Sequence, residues 1–115
     1  MDIEDIRKIC SSKPGATESI KWEHDLVFSV GEKMFCVIGL DQSPTTASFK
    51  VTDDEFEQLS SSPGFKPAPY VAKYKWVFVE DINTISQDDW IRYIHQSYEL
   101  VKAKLPLKIR KRLEI

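Results

Sequence analysis

A chain of 115 residues with 42% hydrophobic and 30% charged content has the length for one domain with its own core, and too much apolar content for a disordered segment. No apolar run approaches the roughly 20 residues of a membrane span. The acidic opening Met1-Asp2-Ile3-Glu4-Asp5 has neither the basic nor the apolar part of a signal peptide, so a cytoplasmic protein is expected. Net charge is −2 and uneven: residues 1–60 hold 12 acids against 6 bases, residues 61–101 hold 5 against 4, and residues 102–115 hold 6 bases and only Glu114.

Taken in chain order, Ile3, Ile6, Ile9 and Cys10 recur at helical spacing and predict an amphipathic helix that stops at Lys13-Pro14-Gly15. From Glu18 the period changes to two. Ile20 and Trp22 open a strand, Glu23-His24-Asp25 makes a polar turn, and Leu26, Phe28 and Val30 alternate in a second strand. Gly31-Glu32 reads as a tight hairpin turn into Lys33–Leu40, a strand apolar on both faces and therefore central. After the loop Asp41-Gln42-Ser43-Pro44, Ala47, Phe49 and Val51 alternate in a fourth strand.

Thr52-Asp53-Asp54-Glu55 has the form of a capping box and predicts a short helix with Phe56 and Leu59 on one side, broken at Ser60-Ser61-Ser62-Pro63-Gly64. Phe65–Lys73, with Pro67 and Pro69, is expected to be an ordered loop before a fifth strand over Tyr74–Glu80. Ser86 caps a last long helix with the stripe Trp90, Ile91, Ile94, Tyr98, Val101 and Leu105. Pro106 interrupts it, and Ile109 and Leu113 continue as a separate short helix. The expected fold is α+β: an antiparallel meander of about five strands, with N- and C-terminal helices packed on one face.

Catalytic and metal motifs are missing. There is no GxSxG elbow, CxxC or HxxxH, and neither His24 nor His95 has the sequence context of a triad, so neither an enzyme nor a cofactor is expected. Glu23, His24 and Asp25 point alternately to opposite faces in extended chain and do not converge on one ion. Glu4, Asp5, Asp53, Asp54 and Glu55 lie at helix starts, where carboxylates suit the dipole. Cys10 and Cys36 sit in apolar patterns and read as buried free thiols.

The fifth strand is more informative. Tyr74, Trp76 and Phe78 share one face, Val77 and Val79 the other; Lys75 sits on the valine face, and Lys66 and Lys73 precede it. Aromatics ringed by lysines form the stacking platforms of single-stranded nucleic-acid binders. The commoner arrangement puts such rings in the core beneath the helices, and that is the expectation here, for Trp22 as well. The tail bases are either phosphate contacts or the solvated side of a helix whose apolar side is Leu105, Ile109 and Leu113.

Several segments, taken in order, carry a resemblance: Cys10, Lys13-Pro14-Gly15-Ala16, Glu18-Ser19, Gly31, Lys33-Met34-Phe35, Phe49-Lys50-Val51, Pro67, Tyr70, Lys73, Trp76 and Ser97-Tyr98. The set resembles the MmcQ/YjbR family of small bacterial proteins over essentially the whole chain. That resemblance implies a frataxin/CyaY-like fold, a DNA-binding label and no catalytic residue. Lys33, Lys50, Lys73 and Trp76 match the family's recurrent positions. With Lys75 and the tail residues Lys108, Arg110, Lys111 and Arg112, they form the candidate nucleic-acid contacts of a cytoplasmic monomer whose partner is DNA or a single strand. The alternative is a protein-interaction module built on Trp76 and the loop Pro67-Ala68-Pro69-Tyr70. A weaker one is frataxin-like metal binding by Asp2, Glu4 and Asp5.

Overall fold

The computed structural model describes residues 1–115. The helix start signals act where the sequence puts them. Asp2 caps α1 (Ile3–Ser11), and the Asp2 and Asp5 carboxylates each accept the other's backbone N–H. Strands β1 (Ala16–Lys21), β2 (Asp25–Val30), β3 (Lys33–Gly39) and β4 (Thr46–Lys50) follow as an antiparallel meander. Gly31 and Glu32 turn between β2 and β3 at φ 56° and 68°, the paired positive values of a type I′ hairpin. Thr52 then accepts the Glu55 N–H at 3.3 Å to start α2 (Asp53–Ser60).

Two more strands, β5 (Phe65–Pro67) and β6 (Trp76–Val79), complete a six-stranded sheet of order β1-β2-β3-β4-β6-β5. The segment expected to be a loop therefore begins with an edge strand. A proline that lacks an N–H is tolerated there because only one side of the strand is paired. The strand expected over Tyr74–Glu80 is shorter: Ala72–Tyr74 is a 3₁₀ turn, and Lys75 follows at φ 67°. Trp22 likewise stands outside β1, at φ 49° in the turn. Ser86 caps α3 (Gln87–Ala103), and Pro106 separates it from α4 (Leu107–Leu113).

One face of the sheet carries the core. Leu26, Phe28, Val30, Cys36, Ile38, Phe49, Val77 and Val79 pack beneath Trp90, Ile94, Tyr98 and Val101 of α3, with Ile6 and Cys10 of α1. Phe49 lies between Trp90 and Tyr93, at ring separations of 5.6 and 4.9 Å. The Trp90 indole N–H donates to the Ile82 carbonyl at 2.9 Å, which satisfies the ring's only polar atom. Ile91, expected on the buried stripe, is exposed, and Tyr93 and Ser97 are buried in its place. Both cysteines are free and buried; a hydrogen bond to Cys36 and then burial push the Cys10 thiol far up.

The expectation for the aromatic face is overturned. The valines Val77 and Val79 lie beneath the helices, while Trp76 and Phe78 occupy the opposite, helix-free face. The helix contributes Trp90, Tyr93 and Tyr98 and the neighbouring strands Phe28 and Phe49, so large rings already fill the volume under α3 and the valines of β6 complete it.

Candidate nucleic-acid interface

Alternating strand directions decide which lysines meet. β3 begins at Lys33, β4 ends at Lys50, and β6 begins just after Lys75; because neighbours run antiparallel, all three positions lie at one end of the sheet. The C-terminus of α3 brings Lys104 to the same end. Lys50, Lys73, Lys75 and Lys104 line a shallow groove of about 350 Å³ together with Tyr74, and Asp53 is the only acid on its walls. None of the four lysines forms an ion pair.

Lys50 is the buried member, 8% exposed, and its ammonium donates to the Tyr74 carbonyl. Burial, then the charges of Lys104 and Lys75, lower its pKa, while Asp53 opposes them. A cation held at such a site has only Asp53 to offset the neighbouring lysines and no ion-pair partner, and an anion entering the groove would supply one. The Lys73 ammonium sits 5.1 Å from the centre of the Tyr74 ring, and that ring is 54% exposed. The Lys75 ammonium lies 5.1 Å from the Phe56 ring, and Lys75 itself precedes β6 and is not part of the strand.

The tail is ordered as α4. Ile109 and Leu113 turn inward against the core, and Leu105 and Ile109 seat on Gly31. Lys108, Lys111 and Arg112 are exposed and Arg110 is half-buried, so the basic residues form the solvated side of the helix. That helix nevertheless stands beside the Gly31 turn, at the lysine end of the sheet, next to exposed Lys33. Lys104, which the sequence offers only as one of the six tail bases, belongs instead to the groove, where the crossing of α3 over the end of β4 brings it.

Trp76 is not an open platform. It is 5% exposed and forms part of a second concavity, about 610 Å³, between the helix-free face and the loop Ala68–Val71. Trp22, Met34, Val37, Phe78 and Tyr70 share its walls with two polar residues, Asp25 and Ser48. Tyr70, at φ 69°, is 98% exposed at the lip. The acids suggested for metal binding are otherwise engaged: Asp2 and Asp5 bond each other's amides, and Glu4 pairs with Arg7 at 3.3 Å. No group of three or more His, Cys, Asp or Glu side chains is placed to hold an ion.

Comparison with known proteins fits this architecture. The Deinococcus radiodurans protein DR2400, described by the family-model domain DUF419, superposes with a TM-score of 0.86 at 26% identity over 98% of this chain and 88% of its own. A structural-genomics protein from Pseudomonas syringae shares the fold at a TM-score of 0.71 and 19% identity, over 88% of this chain and 99% of its own. No curated protein sequence matches. The YjbR family model matches residues 11–100, from the end of α1 through most of α3, and the chain belongs to the YjbR family.

Proposed function

We propose that this protein is a non-catalytic nucleic-acid-binding module that grips the phosphates of a single strand at the lysine end of its sheet. The observation that carries the reading is the convergence of Lys50, Lys73, Lys75 and Lys104 on one groove with a single acid and no ion pairs. A net charge of −2 describes the whole surface, whereas phosphates respond to the field of the groove they enter. The exposed Tyr74 ring beside Lys73 gives one base a stacking partner, the combination of cation and ring that single strands use. Lys33 and the outer side of α4 extend the positive surface from the groove.

Fluorescence anisotropy with labelled single- and double-stranded oligonucleotides, across a salt series, tests this. Four phosphate contacts on a single strand give a log–log salt slope of about −3, and replacing Lys73 and Lys75 with glutamine reduces its magnitude by about 1.4. Binding no tighter than about 0.1 mM at low salt, or a slope indifferent to both substitutions, would refute the assignment.

A further inference from the structure

The concavity on the helix-free face has a different chemistry from the lysine groove. At about 610 Å³ it falls in the size range of small-molecule sites. Its walls are mainly apolar and aromatic, and its only charge is the carboxylate of Asp25. Asp25 takes part in no ion pair: His24, the adjacent base, leans towards Asp41 at 3.9 Å. The Phe78 ring already faces the Lys66 ammonium at 4.9 Å, which leaves Trp22 and Trp76 as the uncommitted tryptophan rings.

Three classes of occupant can be weighed against these walls. An anion meets an unneutralised carboxylate. A neutral apolar molecule fills the volume but removes water from Asp25 without replacing it, and stripping a charge of its solvent is costly. A cation with an apolar body gives Asp25 its missing counter-charge, offers its positive head to the negative faces of the indoles, and buries its body against Met34 and Val37.

We propose that this cleft binds a small organic cation, an ammonium group carried on an aromatic or aliphatic body, with Asp25 as its counter-ion and Trp22 and Trp76 as its ring contacts. The site is independent of the phosphate groove and opposite to it in charge, so either assignment can fail without the other. The probe is benzyltrimethylammonium, titrated into ¹⁵N-labelled protein while the indole N–H signals are followed. Trp22 and Trp76 shift, and Trp90, fully buried on the other face of the sheet, serves as the internal control. Neopentylbenzene, the same shape without the charge, binds about tenfold more weakly, and Asp25→Asn weakens the cation by a similar factor. Equal affinity for the neutral isostere, an Asp25→Asn variant that binds the cation as well as the parent, or uridine shifting the same indoles as strongly would each overturn the proposal. The comparison of cation with isostere uses the unaltered protein and stands even if the variant folds poorly.

Discussion

Replacing Gly31 with alanine separates two costs that one residue carries. Gly31 sits at φ 56°, and a Cβ built there lies 2.8 and 2.9 Å from the two methyl carbons of Leu105 and 3.0 Å from Cγ2 of Ile109. Gly64 is the natural control: it has a comparable φ of 84°, but a Cβ there meets nothing nearer than the Thr84 hydroxyl at 3.9 Å. The left-handed backbone alone costs an alanine about 1 kcal/mol, once the smaller entropy of its unfolded chain is credited. Gly64→Ala is therefore expected to lose about that much. At Gly31 the ordinary carbon separation of about 3.5–4.0 Å is violated against Leu105, a buried residue with little freedom to retreat, and overpacking adds about 1–3 kcal/mol. Urea denaturation of both variants measures the difference, which is also visible as a fall in Tm of roughly 4 °C per kcal/mol. If the two substitutions cost the same, Leu105 and Ile109 do not seat α4 on the hairpin turn. The placement of the basic helix at the lysine end would then be wrong.

Two further predictions concern the core and the cleft. Ser97→Ala removes a buried hydroxyl that accepts the Lys50 N–H at 3.0 Å and donates to the Phe35 carbonyl at 2.5 Å, leaving two backbone groups unpaired. Urea denaturation should show a loss of about 2–3 kcal/mol, and a loss under about 0.5 kcal/mol would show that the bridge is dispensable. The Asp25 carboxyl is raised by burial and by Asp41, with His24 opposing, from an ordinary value of 3.8. A carboxyl raised on folding penalises the folded state above its folded pKa and not below its unfolded one. Asp25→Asn is thus expected to raise Tm at pH 7 and to lose that advantage as pH falls through 3.8, measured by thermal melts at both ends; a gain that persists at pH 3, or a loss at pH 7, would contradict the assigned shift.

Local signals in the sequence carried over well. The caps Thr52 and Ser86, the Gly31-Glu32 turn and the break at Pro106 act where they were expected, because each depends on atoms within a few residues. Strand alternation correctly divided Trp76 and Phe78 from Val77 and Val79. It carries no information about which set faces the helices, since that depends on what Trp90, Tyr93 and Tyr98 bring from α3. Alternation groups Tyr74 with the two strand aromatics, but the αL backbone at Lys75 takes it out of the strand. β5 is not legible in the sequence because three residues ending in proline hold too little pattern to register as a strand. Of the candidate site, Lys50, Lys73 and Lys75 were recognisable as separate lysines, whereas their convergence with Lys104 arises only from the packing of α3 across β4.

Ser97 has a role that reaches beyond the bonds it makes. Pairing between β3 and β4 ends at Cys36 and Phe49, so Phe35 and Lys50 are where the next rung of the ladder would form. The hydroxyl of Ser97 takes the place of that rung, inserted from a helix. A directional bond fixes the seat of a helix on a sheet more sharply than packing alone, and each residue of slip would rotate the helix by about 100° and advance it about 1.5 Å. The inserted rung indexes the helix like a tooth in a rack. Lys104 lies seven residues, about two turns, beyond that tooth, and so on nearly the same side. The residue whose amide the tooth engages is Lys50, the lysine that Lys104 meets in the groove. With the Trp90 indole bond to the Ile82 carbonyl holding the other end of the helix, an uncharged hydroxyl in the core thus helps to set the charge pattern at the rim.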